Sequence, residues 1–346
     1  MKTIVLAGGG TAGHITPHLA ILPELKNYFD KIYYIGSGKA IEKELINDEK
    51  VQIFDINPPA FIRSLSPKNL LIPAKLIKAT KECEHFLTEV KADVVFSKGG
   101  YCALPPCFAA FRLKIPVICH ESDLTPGLAN KLCIRRSTAF LTTFLETAKK
   151  HNGKHVGPPI RTGFKHISKQ KARALIGITD NRPVLLVTGG SQGSKTINLA
   201  LNKNLSALLK DFNVIHLCGK GNKPPYSAIN GYFAYEFADM SVMMSACDVA
   251  ISRGGSNTLF ELLSCKIPTA IIPLKKASRG DQIKNAEYFA KKGAILTMDE
   301  DLLERNLLLL TKQLFKNKNS LISNIEKLKI ANGKDAIIKE IINATK

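Results

Sequence analysis

The residues best placed to do chemistry stand near the start of the chain. Gly8, Gly10 and Gly13 follow the apolar run Thr3-Ile4-Val5-Leu6, and His14 comes directly after the last glycine. G-x-G-x-x-G between a strand and a helix is the dinucleotide fingerprint. Such glycines let a phosphate approach the backbone, and the helix start offers it N–H groups. A dinucleotide site also needs a carboxylate ending the second strand, to hold the ribose. That strand, KIYYIG, runs into Gly36-Ser37-Gly38, and Asp30 lies at its other end. The loop therefore reads as a seat for a different phosphate, with a purely structural turn as the alternative. His14 adds an imidazole suited to accepting a proton near neutrality.

A second glycine loop, GGSQGSKT, begins at Gly189. It misses the P-loop because Ser194 stands where the second glycine belongs. A Gly/Ser turn at a helix start still suits a diphosphate. Asp299-Glu300-Asp301 precedes an amphipathic stretch and reads as a helix cap rather than a metal motif. None of the eight cysteines forms a C-x-x-C pair. No structural zinc site is expected, and thiols in apolar runs suit a reducing compartment.

These loops must be held by elements that repeat. TIVLAG, KIYYIG, ADVVFSKGG, PVICHES and AFLTTF read as strands of one parallel sheet. PVLLVTGG, NVIHLCG, DVAISRGG, PTAIIPL and GAILTM read as strands of another. Short apolar runs alternating with amphipathic helices predict α/β sheets buried on both faces. Leu6-Ala7-Gly8-Gly9 resembles Val187-Thr188-Gly189-Gly190, and Ser97-Lys98-Gly99-Gly100 resembles Ser252-Arg253-Gly254-Gly255. Lys114-Ile115-Pro116 resembles Lys266-Ile267-Pro268. Three matches in the same order predict two Rossmann-like, doubly wound parallel-sheet domains, residues 1–162 and 163–330, with ligands in a cleft at the strands' carboxyl ends. The C-terminal helix, about 331–346, could pack back on the first domain.

The formal net charge of +20 points to an acidic partner. A nucleic-acid binder fits poorly, since no helix-turn-helix, zinc finger or RNP-like aromatic run is present. A non-catalytic nucleotide-sugar binder is a further alternative. The N-terminus lacks a signal peptide's apolar region, and no stretch of about 18 apolar residues predicts a membrane span.

GGGTAGHITP, SKGGYCALP, HESDLTPGLAN, GPPIR, GGSQGSKTIN, SRGGSNTLFELL and RGDQIKNA occur in that order. Together they resemble the MurG family of bacterial peptidoglycan glycosyltransferases, in glycosyltransferase family 28, across nearly the whole chain. The resemblance implies a GT-B fold and an inverting transfer. GlcNAc would move from UDP-GlcNAc to the MurNAc 4-hydroxyl of lipid I, giving lipid II for cell wall biogenesis and thus for cell shape and division. A related GT-B enzyme with another UDP-sugar or lipid acceptor is the alternative. No cofactor site is evident and no metal ligands are assigned, which leaves room for a stimulatory divalent cation. The implied partners are UDP-GlcNAc, lipid I and the anionic inner leaflet of the cell membrane, without nucleic acid. Other cell-wall or division proteins are open as partners. The implied location is peripheral, on the cytoplasmic side of the membrane.

The resemblance also assigns residues. Glu261 would hold the uridine ribose, since one carboxylate can accept from both hydroxyls of a diol. Ser256, Asn257, Thr258 and Leu259 precede it in the same motif. Ser191 and Arg161 match residues at the donor diphosphate, and Gln282 matches a donor-sugar contact. Phe237 falls at the uracil position or in the core. Thr11, Ala12 and Gly13 are carried as substrate-binding, and Gly10, Lys98 and Tyr101 as acceptor-binding, although Lys98 and Tyr101 could merely line the cleft. Asp123 stands where other members carry Asn. His14 is the implied catalytic base, with loop orientation or phosphate binding as its other reading. His18, one turn later, is a weaker candidate, and His120 is either a ligand or a buried strand-end residue.

Residues 61–81, FIRSLSPKNLLIPAKLIKATK, join apolar side chains to lysines and predict a membrane-docking segment. The alternative is an ordinary helix packed on the first sheet.

Overall fold

A computed structural model describes residues 1–46, 48, 50–58, 71–161, 167–190, 192–225, 229–275 and 279–346. The chain forms two compact units. One comprises Met1–Arg161 with Asn332–Lys346, and the other comprises Thr162–Ala331.

The first unit is built on seven strands: β1 (Thr3–Ala7), β2 (Lys31–Gly36), β3 (Val51–Asp55), β4 (Val94–Ser97), β5 (Val117–Glu121), β6 (Ala139–Thr142) and β7 (Lys154–His155). Their order is β3-β2-β1-β4-β5-β6-β7, with every pair parallel. β1 is buried throughout, with Val5 opposite Tyr33 on one side and Val95 on the other. Its two faces feed two cores. Ile4 and Leu6 pack with Ile15, Ile21 and Leu25 of the helix Ala12–Leu25, and Val5 and Ala7 pack with Cys83, Phe86 and Leu87 of the helix Ile72–Glu89.

The helix Lys334–Asn343 belongs to this first unit. Asn332 exchanges two hydrogen bonds with the backbone of Ile160, at 3.0 and 2.9 Å, and Gly333 N–H donates to Pro158 O at 2.7 Å. Ile337, Ile338 and Ile341 then enter the core beside Ile21 and Leu25.

The second unit has six strands: β8 (Val184–Thr188), β9 (Asn213–Leu217), β10 (Tyr232–Tyr235), β11 (Val249–Ser252), β12 (Thr269–Ile271) and β13 (Leu296–Thr297). The order β10-β9-β8-β11-β12-β13, again parallel, repeats that of the first unit. The sequence matches fall on equivalent places. Ser97 ends β4 and Ser252 ends β11, while Lys114 and Lys266 both take φ +57° just before β5 and β12. In each unit the order reverses between the two central strands, so their loops flank the switch point where such sheets bind ligands.

Three strands were not expected from the sequence. β3, β7 and β10 are sheet edges, and the two-residue β7 is exposed. The cap reading of Asp299-Glu300-Asp301 is also corrected. The following helix, Leu303–Lys316, has Leu302 as its N-cap, without a side-chain cap bond. The three acids instead form ion pairs: Asp299 and Asp301 with Lys275 at 2.5 and 2.9 Å, and Glu300 with Arg253 at 2.8 Å.

Candidate functional site

In the first unit, the loops after β1, β4 and β5 come together. The loop after β1 carries Gly8 and Gly10 at positive φ. Tyr34 Oη donates to Gly8 O, and Lys39 Nζ donates to Gly10 O at 3.2 Å. Thr11 is the N-cap of the helix Ala12–Leu25, but its hydroxyl turns to His14, with Oγ1 and Nδ1 2.9 Å apart. Gly13 is exposed at the helix start.

The loop after β4 supplies the facing wall. Tyr101 covers Gly10 so closely that a Cβ there would stand 2.6 Å from its ring. Gly100, at φ +80°, faces His14, with room for a Cβ only 3.2 Å from the imidazole. Gly10, His14 and Tyr101, separate in sequence, are thus brought together, with Gly10 buried beneath the Tyr101 ring. His14 and Tyr101 are half-buried.

Lys98 lies beneath this surface. It is buried, and its Nζ donates to Ser122 Oγ at 2.8 Å and contacts His120 Nδ1. Burial pushes its pKa down to about 7, against the opposing influence of Glu121 and Asp123. The structure thus places Lys98 as an internal strut, where the sequence had offered an acceptor contact or a cleft-lining residue. His120 is the buried strand-end residue; burial and then Lys98 hold its pKa well below the ordinary range. His18 is also buried, edge-on to Tyr34 and Phe96. Burial and then Lys98 push its pKa down to about 3, so its place is in the core rather than in chemistry.

Asp123 is half-buried in the loop after β5. That loop is organised by Glu121, which accepts from Asp123 N–H at 3.0 Å, Gly127 N–H at 2.9 Å and Asn130 Nδ2 at 2.8 Å. Glu121 and Glu42, the fully buried acceptor for Gly10 N–H at 2.7 Å, were both missed in the sequence. Their partners are mainly backbone amides, which leave no trace in residue identity. Below the same loops, the sulfurs of Cys107, Cys119 and Cys133 lie within 4.8 Å of one another, all buried, from a helix, a strand and a second helix. The C-x-x-C criterion could not see a cluster assembled by the fold.

In the second unit, the loops after β8 and β11 are joined by Arg253. This buried guanidinium, at the position matching Lys98, donates to Ser194 Oγ at 2.6 Å and Ile272 O at 3.1 Å. Ser194 also caps the helix Lys195–Leu208, accepting from Ile197 N–H at 3.3 Å. That explains the departure from the P-loop: the residue is a cap and an arginine partner. Close packing fixes Gly193 at φ +73°, where a Cβ would stand 2.0 Å from Cys218 O.

Gly255 precedes the helix Ser256–Ser264. Ser256 is buried, Asn257 and Thr258 are half-buried, and the side chain of Leu259 is wholly buried in the core. Glu261 is buried on the same helix. Gln282 binds this turn from the helix Asp281–Lys291: its Oε1 accepts from Gly254 N–H at 3.2 Å and Leu274 N–H at 3.0 Å. The helix start beside a glycine turn can receive an anion through its N–H groups. Phe237, in the loop after β10, is 53% exposed rather than a core residue.

Arg161 is half-buried at the end of the first unit's main segment. Ser191 lies outside the described residues, as do Phe61, Ile62, Arg63, Leu65, Lys68 and Leu70 of the predicted membrane segment.

Two doubly wound parallel-sheet units thus repeat one strand order, each with glycine-rich loops at its switch point. The solved structure of Acinetobacter baumannii MurG has this fold, with a TM-score of 0.77 at 24% identity, covering 99% of each chain. The N-terminal domain of glycosyltransferase family 28 matches residues 4–142, and its C-terminal domain matches residues 184–341. The chain belongs to glycosyltransferase family 28. It is 43% identical, over 100% of both chains, to the UDP-N-acetylglucosamine--N-acetylmuramyl-(pentapeptide) pyrophosphoryl-undecaprenol N-acetylglucosamine transferase of Clostridium botulinum (strain Kyoto / Type A2). It is 40% identical to the enzyme of that name from Clostridium tetani, covering 97% of this chain and 96% of the other.

Proposed function

We propose that this chain is the inverting transferase that moves GlcNAc from UDP-GlcNAc to the MurNAc 4-hydroxyl of lipid I, forming lipid II. The observation that carries the reading is full-length identity of 43% to a transferase of that name. The grouping of His14 and Tyr101 over the first glycine turn supports it by giving the reaction a base beside the start of a helix.

The acceptor's pyrophosphate lies on the first glycine turn and helix start, with Tyr101 beside it and Lys98 supporting the wall from within. Asp123 meets a sugar hydroxyl. With the Nδ1 proton directed to Thr11, His14 Nε2 takes the proton of the 4-hydroxyl. The hydroxyl oxygen then bonds to the anomeric carbon as the bond to UDP breaks, so a single in-line displacement inverts the centre. UDP leaves with the bonding electrons on its diphosphate. In the second unit, Glu261 accepts from the ribose hydroxyls and Phe237 stacks on the uracil. N–H groups from Ser256 to Thr258, with Ser191 and Arg161, meet the developing charge. Gln282 contacts the donor sugar.

No described helix is long and apolar enough to cross a membrane. We place the enzyme on the cytoplasmic face by surface contact, the side on which a UDP-sugar is available. Radiolabelled UDP-GlcNAc with a lipid I analogue tests the function: label should enter a lipid II product, and EDTA or added magnesium reads any divalent stimulation. Transfer to another lipid, or binding without transfer, would replace this reading.

A further inference from the structure

The first glycine loop carries the dinucleotide spacing but lacks the carboxylate that ends the second strand in such sites. The structure contains a carboxylate nearby, turned inward. Glu42, on the helix Ala40–Leu45, is 0% exposed. Its Oε1 accepts from Gly10 N–H at 2.7 Å and Ser37 Oγ at 2.8 Å, and its Oε2 accepts from Ser37 N–H at 2.7 Å. It also occupies the space that side chains at two glycines would need. A Cβ on Gly9 would stand 2.4 Å from Oε1, and one on Gly36 would stand 2.4 Å from Oε2.

We propose that Glu42 is the positioning residue of the first glycine loop. It plugs the side of the turn where a nucleotide would lie and fixes the edge that carries His14. Both oxygens are engaged with protein donors, and the carboxylate has no exposed face to offer a ribose diol. A buried carboxylate with three donors holds a turn more firmly than neutral contacts do. Tyr34 of β2 and Lys39 just after it hold the carbonyls of Gly8 and Gly10, so β2 and the segment that follows it grip the loop through both kinds of backbone group. The consequence is a loop with a nucleotide fingerprint that is closed to nucleotide and open only along Thr11–His14. The inference rests on the reading of that edge as the acceptor side.

The test uses the full chain and Glu42→Gln. Glutamine has one acceptor oxygen, so its NH₂ group must face Ser37 N–H or the Gly10 N–H and Ser37 Oγ donors. We expect kcat/KM for the lipid I analogue to fall about tenfold or more, with UDP-GlcNAc affinity unchanged. Amide hydrogen exchange should quicken at Gly10 and Ser37 and stay unchanged in the second unit. Because Glu42 acts through the loop that leads into the helix of His14, adding Glu42→Gln to His14→Ala should cost little more. Wild-type acceptor kinetics in folded Glu42→Gln, a matching loss of donor affinity, or full additivity with His14→Ala would overturn the proposal. If the variant does not fold, wild-type exchange decides: strong protection of Gly10 N–H supports it, and solvent-like exchange refutes it. Failure of the wild type to use lipid I would refute the functional reading alone, since the exchange measurement does not depend on substrate.

Discussion

The imidazole of His14 rests against the backbone of Gly100, with only 3.2 Å between its Cε1 and Nε2 and the place a Cβ would take. Two loops from neighbouring strands are thereby made into one surface, and each limits the other's residue choice. Gly100→Ala should displace the ring as well as strain a φ of +80°. We expect His14→Ala to lower kcat about 100-fold or more if the ring is the base, with donor affinity unchanged. Gly100→Ala should lower kcat in the same direction by a smaller factor. Steady-state kinetics with calorimetric UDP-GlcNAc binding separate these effects; equal losses in binding and turnover would assign His14 a structural role.

Glu261 tests the other unit. Replacing it with Ala removes the proposed ribose acceptor, and UDP-GlcNAc affinity should fall about tenfold or more. Glu261→Gln keeps one acceptor oxygen and should lose less. Titration calorimetry checks both, and an Ala variant with wild-type affinity would remove Glu261 from the donor site.

The central strands were legible because burial on both faces demands uninterrupted apolar runs such as Val184–Thr188 and Val94–Ser97. Edge strands lack that demand. β3 reads VQIFD, with Gln52 and Asp55 exposed, and it carries no clear signal. The glycine turns were legible for a similar reason, since positive φ and close backbone approach restrict residue type. The side chains that fix them were not. Glu42 sits in IEKEL, whose pattern reads as a solvated helix, and only the fold shows one of its acids wholly enclosed. Lys98 stood out beside its glycine pair as an acceptor contact or a cleft-lining residue, and only the fold shows it buried.

Lys98 makes stability depend on pH. Its ordinary pKa of 10.5 is pushed down to about 7 in the folded chain, mainly by burial. Between those values the unfolded chain holds the proton and the folded chain does not. This residue's contribution to stability therefore rises with pH, by about 1 kcal/mol per unit across that window. Denaturant unfolding of wild type and Lys98→Met from neutral to pH 10 should show wild type gaining relative to the variant as pH rises. Parallel curves would mean that the ammonium stays charged in the folded state.

The helix Ile72–Glu89 anchors its second half through Cys83, Phe86 and Leu87, with Phe86 stacked on Phe54 at 4.0 Å. Its first turns face outward: Leu71 and Ile77 are each 56% exposed, and Lys75, Lys78 and Lys81 are exposed beside them. Apolar side chains among lysines suit an anionic bilayer, at about 1 kcal/mol for each well-placed basic residue. Replacing Leu71 and Ile77 by Ser, and Lys75 and Lys78 by Glu, leaves the anchoring half untouched. Partitioning to vesicles containing anionic lipid should then fall about tenfold or more, and wild-type partitioning should weaken as salt screens the lysines. Activity on membrane-embedded acceptor should fall with it, while activity on a short-chain soluble acceptor persists. Wild-type vesicle binding by the folded variant would assign the docking surface elsewhere.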